Sequence, residues 1–316
     1  MNAKPALSPL SVPADVRLDL ARDLDAVAAS AVECLLLELE TWPKPGLVSH
    51  VDAGSHDDMD AGTFRASAAA IAPYLRALTA AGAEGSAMAR LRLIGIEAEA
   101  AMLAATSGIN THRGAIFGLG LLCAAAGARL AGLAPQQESL GTIVSRLWGR
   151  DIVDGPILLH SHGGAARRRF GAGGARLEAA SGFPTVYGVG LPSLLRGIAA
   201  APDDAEAARI EACFALIAAL EDTNLLHRGG LDGLSFARDA ARAFLDAGGV
   251  RRPAWRDHAR SVHEGFVARR LSPGGSADLL AMTLFVAAQD EGGHEGKDRE
   301  ADRNRHGGEN REKRPC

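Results

Sequence analysis

Aromatic residues make up only 4% of this 316-residue chain, and valine and threonine are sparse. Few residues therefore favour strands, whereas alanine and leucine, which dominate, favour helices. Apolar residues recur at helical spacing, as they do at Leu20, Leu24, Val27, Ala31 and Leu35. The sequence predicts an all-α fold, a single multi-helix globular domain with functional loops between its helices.

Both ends of the chain lack this periodicity. Residues 1–16 contain three prolines and no apolar core, and residues 291–316 carry seven acidic and seven basic residues with almost no apolar content. Segments of such composition cannot bury enough apolar surface to fold. We therefore predict a disordered N-terminal arm over 1–16, a helical catalytic domain over 17–290 and a disordered charged tail over 291–316.

Several other features are absent. The four cysteines form no Cys-x-x-Cys pair, which argues against a thiolate zinc site and for a reducing compartment; Cys34, Cys123 and Cys213 are expected to be buried thiols. No apolar run is long enough for a membrane span or a signal peptide. A formal net charge of -4 argues against nucleic-acid binding. We expect a cytoplasmic protein, with neither nucleic acid nor membrane as a partner.

Three loops interrupt the helical pattern and hold the most densely packed ionisable residues. They span 42–60, 160–192 and 272–276. Helices are predicted over 17–41, 62–82, 86–106, 112–131, 136–149, 203–225, 232–247, 252–270 and 276–289. Long loops inside a helical domain are uncommon unless they carry function, so the candidate site residues are sought there.

The first loop contains Asp58 and Asp60, which are two residues apart and can face the same side of an extended turn. Mg²⁺ binds one or two carboxylates and completes its coordination with water and substrate phosphates. A magnesium site is one interpretation. The other is that Asp60 caps the helix that begins near Gly62, and the spacing alone favours neither.

The segment GINTHRGAIFGLG, residues 108–120, begins an apolar helix. Free backbone N–H groups at a helix N-terminus suit a phosphate, and Arg113 adds a bidentate donor. Asn110 or Thr111 alone could also serve as the N-cap, and both interpretations can hold together.

The segment EDTNLLHRGG, residues 221–230, is predicted to end a helix, with its two glycines as C-caps. Asn224 and Arg228 are four residues apart and share a face, although His227 and Arg228 could simply complement the helix dipole. The residues able to ligate a metal, accept a proton or bind substrate are Glu221, Asp222, Asn224, His227 and Arg228.

The segment LSPGGSADLL, residues 271–280, resembles a small phosphate cradle. Gly274 and Gly275 allow backbone N–H groups to approach an anion, and Ser276 begins a helix. An ordinary N-cap explains Ser276 nearly as well. In the middle loop, the run Arg167, Arg168 and Arg169 is either a patch for an anionic ligand or a solvated surface.

Taken together and in this order, these segments are specific. The sequence resembles the triphosphoribosyl-dephospho-CoA synthase family. The matching segments are PKPGLV (43–48), GSHDDMD (54–60), GINTHRGAIFGLGLL (108–122), SHG (161–163), GARLEAASGFP (174–184), EDTNLLHRGG (221–230) and LSPGGSADLLAMTLF (271–285).

The resemblance implies a reaction in which the 2′-hydroxyl of 3′-dephospho-CoA attacks C1′ of the ATP ribose and adenine leaves. The product would be the prosthetic-group precursor of malonate decarboxylase or citrate lyase, passed on to an acyl-carrier-protein prosthetic-group transferase. An ATP- or ADP-ribose-directed, Mg²⁺-dependent N-glycoside hydrolase is the alternative.

The resemblance also suggests roles for individual residues. Asp58, Asp60 and Asp222 would bind Mg²⁺. Either Glu178 or Glu221 would be the base, and His112 would assist adenine departure. The triphosphate would contact Lys44, Arg113 and Arg228, and the other substrate-binding residues would be Asn110, Asn224, His227, Ser272 and Ser276.

Overall fold

The computed structural model describes residues 14–156 and 174–290, and in these ranges the chain forms helices and no strand. The predicted all-α fold is confirmed. The helices are α1 Ala14–Leu39, α2 Ala61–Ala83, α3 Met88–Ala105, α4 Arg113–Leu130, α5 Leu140–Asp154, α6 Gly174–Ala180, α7 Leu191–Ala200, α8 Ala205–Ala219, α9 Thr223–Asp246, α10 Trp255–Ala268 and α11 over 274–290. A π-helical turn, Val186–Gly190, precedes α7, and a 3-10 turn, Gly249–Arg251, precedes α10.

Two predicted helix limits are wrong. The helix predicted over 203–225 is two helices, because α8 ends at Ala219 and the Asp222 side chain accepts a hydrogen bond from the Asn224 N–H (2.9 Å) to start α9. Residues 221–230 therefore begin a helix rather than end one. Gly230, with φ 62°, kinks α9 instead of terminating it, because only glycine tolerates that backbone conformation readily.

The loop predicted over 160–192 is also partly wrong, since α6 and the π-helical turn lie within it, and α7 was not predicted. The many glycines of this region predicted a loop rather than helices. Residues 160–173 lie outside the described residues, as do the three arginines 167–169 and the tail 291–316. Of the predicted N-terminal arm, residues 14–16 belong to α1, and the rest lies outside the described ranges.

Helix α4 forms the centre of the core and packs against α2 with the two backbones in contact. A Cβ on Gly82 would lie 1.8 Å from the carbonyl oxygen of Ala124, and one on Gly127 would lie 1.9 Å from that of Thr79. Each helix therefore presents a glycine where the other passes closest. Only residues without side chains permit this separation.

Helix α4 is also long and apolar enough to cross a membrane by composition, but 78% of it is buried inside the domain. Its apolar character is therefore explained by its place in the core. The three internal cysteines, Cys34, Cys123 and Cys213, are buried and free, as predicted.

Candidate functional site

A cavity of about 1120 Å³ lies between the start of α4, α3, α6, the start of α9 and the first turns of α11, with the 42–60 loop on one side. It exceeds the roughly 300–1,000 Å³ typical of a site for one small molecule. Ten of the predicted site residues line it: Asp58, Asn110, His112, Arg113, Glu178, Glu221, Asn224, His227, Arg228 and Ser272. The structure thus brings together segments that are far apart in the chain.

Four predicted site residues do not line the cavity, and Lys44 is the first. Its side chain is fully buried, and its ammonium bonds the Glu38 carboxylate and donates to the Glu38 carbonyl oxygen at 2.6 Å. Lys44, which the sequence predicted to contact the triphosphate, is therefore already paired with Glu38 inside the protein. Glu38, the last residue but one of α1, is the residue of this pair that reaches the cavity wall.

Asp60 is the N-cap of α2. Its carboxylate accepts hydrogen bonds from the Thr63 N–H and hydroxyl, both at 2.8 Å, and the Thr63 hydroxyl also accepts from the Asp60 N–H. These bonds lower the pKa of Asp60. The sequence left open whether Asp60 binds magnesium or caps α2, and this geometry supports the cap.

Asp222 is almost fully buried and joins two helices. Its carboxylate caps α9, and its Oδ2 accepts from the Ser276 N–H at 2.8 Å and the Ser276 hydroxyl at 3.0 Å. Burial raises the pKa of Asp222, and these hydrogen bonds oppose the rise. Ser276 is likewise buried. The hydrogen bonds between Asp222 and Ser276 hold α11 against α9. Gly274 and Gly275 line the cavity.

The predicted magnesium set therefore does not meet in one place. Across residues 14–156 and 174–290, no group of three His, Cys, Asp or Glu side chains could hold a metal ion. Asp58 alone of the three predicted ligands lines the cavity. A magnesium ion that arrives on a nucleotide needs only one or two protein carboxylates, and Asp58 fits that requirement.

Next to Asp58, the side chain of His56 connects two other predicted site residues. Its Nε2 lies 2.9 Å from the Ser272 hydroxyl, and its Nδ1 lies 3.2 Å from Arg228 Nη2 and 3.6 Å from Asp58 Oδ1. Burial and then the charge of Arg228 lower the pKa of His56. A neutral His56 can accept from Arg228 and so orient the guanidinium at the cavity edge.

His112, just before α4, is buried and uncharged. The Thr111 hydroxyl donates to Ser67 Oγ at 2.7 Å, and Ser67 Oγ lies 2.6 Å from His112 Nδ1. When the Ser67 hydroxyl donates to Nδ1, the proton of the neutral ring is on Nε2. Burial, and then the charge of Lys44, lower the pKa of His112 to about 4. His112 can offer a hydrogen bond but not an imidazolium proton at neutral pH.

Three of the remaining predicted residues have hydrogen-bond partners. Arg113 Nε donates to Glu99 Oε2 at 2.9 Å, and the Asn110 side chain accepts from the Arg113 N–H at 3.3 Å, just before α4 begins. Glu178 accepts from the Thr185 N–H at 2.7 Å and hydroxyl at 2.9 Å. Glu221 is exposed, with its side chain at the cavity wall.

Three acids at the cavity wall were not predicted from the sequence: Glu38, Glu99 and Asp278, the last in the second turn of α11. Burial raises the pKa of Asp278 well above the usual range, and the negative charges of Glu38 and Asp222 raise it further. The available signal was its setting, since it is the one charged residue among the apolar positions 277–287. Such a residue in a buried helix needs a reason to be there.

Comparison with known proteins now identifies the family. The family model described as ATP:dephospho-CoA triphosphoribosyl transferase matches residues 24–297. The chain belongs to this family. It is 45% identical to a probable 2-(5''-triphosphoribosyl)-3'-dephosphocoenzyme-A synthase of Azotobacter vinelandii, over 81% of this chain and 88% of the relative. No solved structure matches the chain.

Two further relatives extend the comparison. The chain is 43% identical to the 2-(5''-triphosphoribosyl)-3'-dephosphocoenzyme-A synthase of Pectobacterium atrosepticum, over 84% of this chain and 88% of the relative. It is 41% identical to a probable synthase of the same name from Pseudomonas aeruginosa, over 86% and 92%. The predicted resemblance is confirmed and the chain is a transferase of this family, while the hydrolase alternative finds no support.

Proposed function

We propose that this protein transfers the 5-triphosphoribosyl group of ATP to the 2′-hydroxyl of 3′-dephospho-CoA and releases adenine. The family match over residues 24–297 carries the proposal. The cavity supports it, because about 1120 Å³ gives room for two nucleotide substrates side by side.

The chemistry is a displacement at an anomeric carbon, with an oxocarbenium-like transition state as in glycoside transfer. The triphosphate needs cations, and Arg113 and Arg228 are at the wall to bind it. The attacking hydroxyl needs a base, for which Glu178 and Glu221 stay the candidates. His112 contributes a neutral N–H donor.

Magnesium is part of the proposal, with Asp58 as its protein ligand. When bound, the ion supplies charge neutralisation of the triphosphate oxygens. The carboxylates of Asp60 and Asp222 already serve helix caps, so neither is assigned to the ion. Asn224, His227 and Ser272 are assigned to substrate because they line the same wall.

The resemblance also supports three finer points of the proposal. The product would be the precursor of the prosthetic group of malonate decarboxylase or citrate lyase. An acyl-carrier-protein prosthetic-group transferase would receive it. The reaction would take place in the cytoplasm.

The test is incubation of the protein with ATP, Mg²⁺ and 3′-dephospho-CoA. Adenine release should require all three, and the CoA product should gain the mass of the triphosphoribosyl group. Adenine release without 3′-dephospho-CoA would contradict the proposal and favour a hydrolase.

The metal assignment is tested in the same assay with Asp58→Ala, which should abolish Mg²⁺-dependent release. Asp57→Ala is the matched control, because Asp57 is the adjacent exposed carboxylate, pairs with Arg270 at 2.8 Å and does not line the cavity. Equal activity of the two variants would remove Asp58 as the ligand.

A further inference from the structure

Three carboxylates influence one another electrostatically: Glu38 at the end of α1, Asp222 at the start of α9 and Asp278 in α11. Glu38 is paired with Lys44, and Asp222 accepts hydrogen bonds from Ser276. Asp278 has no ion pair among the described residues. Apart from burial, the largest effects on the pKa of Asp278 come from the charges of Glu38 and Asp222.

The place of Asp278 in the fold is shaped for a carboxyl group. A Cβ on Gly114 would lie 1.9 Å from Asp278 Oδ2, so the missing side chain at Gly114 makes room for the acid against the first turn of α4. A hydrogen bond from the Ala115 backbone N–H favours its ionised form, but burial and the two like charges act in the opposite direction and raise its pKa.

The other titratable groups at this corner do not change the balance. Lys44 is bonded to Glu38, and His112 is neutral, with its Nδ1 bonded to Ser67. Burial and two neighbouring acids, with no cation of its own, favour the protonated form of Asp278. In that form, Asp278 offers a carboxylic O–H group in the wall of the cavity.

We infer that Asp278 is the acid that protonates the departing adenine, an inference that rests on the proposed function. Departure of an adenine anion is difficult, and a positioned acid lowers that barrier. A neutral His112 cannot supply the proton readily, and Glu178 and Glu221 are the candidates to accept one. Asp278 is the group at the wall that combines a proton with access to the cavity.

The step balances as follows. The bond between C1′ and N9 breaks, and its electron pair goes to the adenine ring, which takes the proton from the Asp278 carboxyl group. The 2′-oxygen of 3′-dephospho-CoA forms the new bond to C1′ and gives its proton to the base. The base gives up that proton to water, and Asp278 is protonated again, so that over one turnover one proton leaves the 2′-hydroxyl and one arrives on adenine.

The kinetic test compares two leaving groups. In ATP methylated at N7 of adenine, the base departs as a neutral molecule and needs no acid. Asp278→Asn should lower the adenine-release rate with ATP by about 100-fold or more. With the methylated nucleotide, the variant should approach the wild-type rate. Glu97→Gln, an exposed acid on α3 away from the cavity, should match wild type with both nucleotides.

An equal loss with both nucleotides would overturn the inference, because Asp278 would then act as a base or hold the structure. A failure of the proposed function gives a different result: wild type itself would release no adenine in the presence of 3′-dephospho-CoA.

A second measurement needs no turnover. The infrared spectrum of the substrate-free protein at neutral pH should contain the C=O band of a protonated carboxylic acid, and Asp278→Asn should remove that band. Mg²⁺ alone should leave it in place. Absence of the band in wild type, or its loss when Mg²⁺ is added, would overturn the inference, since Asp278 would then be an ionised group or a metal ligand.

Discussion

Lys44→Met should destabilise the protein because it leaves the buried Glu38 carboxylate without a partner. Lys44 is completely buried, and Glu38 has 5% of its surface exposed. In the variant, Glu38 must stay charged without a partner or take up a proton. From its ordinary pKa of 4.5, proton uptake at pH 7 costs about 3 kcal/mol at 1.36 kcal/mol per pKa unit. That agrees with the roughly 3–5 kcal/mol measured when one partner of a buried ion pair is removed.

The assay is guanidinium denaturation followed by circular dichroism. We expect a free energy of unfolding about 3 kcal/mol below wild type at pH 7. The deficit should shrink as the pH falls towards 4.5, because a folded-state pKa raised above the unfolded one stabilises the fold at low pH. Lys44→Met combined with Glu38→Gln should recover most of the loss, since no charge is left buried.

The opposite result would support the triphosphate contact suggested by the sequence. A Lys44→Met variant with wild-type stability but weakened ATP binding would refute the buried-pair reasoning. An unchanged pH dependence of the deficit would also refute it, because the cost would then not come from Glu38.

Two further predictions concern stability. Gly127→Ala should lower the free energy of unfolding by about 1–3 kcal/mol, because its Cβ would lie 1.9 Å from the Thr79 carbonyl oxygen. Gly95→Ala in α3, whose Cβ would have nothing within 4 Å, should instead raise it by up to about 1 kcal/mol. Equal thermal midpoints of the two variants would contradict the α2–α4 packing. The depressed pKa of His112 means that the unfolded chain binds more protons than the folded one between pH 6.5 and about 4, so stability falls by about 3 kcal/mol as the pH drops through that window. Denaturation of His112→Gln against pH should lack this contribution, and a slope identical to wild type would show that His112 is not held neutral.

Most of the fold was predictable from composition and period. The apolar repeat located α1 to α5 within a few residues, because apolar residues recur at helical spacing along these segments. It failed where local signals disagreed with the tertiary structure. The glycine-rich stretch at 174–180 forms the helix α6 because α5 and α4 pack against it. Gly229 and Gly230, which are typical helix terminators, lie inside α9.

The candidate site was predictable as a set of segments but less so residue by residue. Ten of the predicted residues share one cavity, since loops that carry ionisable groups converged. Lys44 and Asp222 have the residue types of ligands, yet they hold the structure together from within. Burial and pairing depend on contacts between distant segments, which one sequence does not display. Asp278 was missed for the same reason, since its raised pKa comes from burial and then from the charges of Glu38 and Asp222.

The buried position of Lys44 has a practical consequence for chemical labelling. The chain has four lysines, and the other three, Lys4, Lys297 and Lys313, all lie outside the described residues. An amine-reactive reagent can therefore modify the helical domain at a single side chain, and only after the corner between α1 and the 42–60 loop has opened. The extent of labelling at Lys44, read by peptide mass spectrometry, thus measures the opening of that corner in the intact protein.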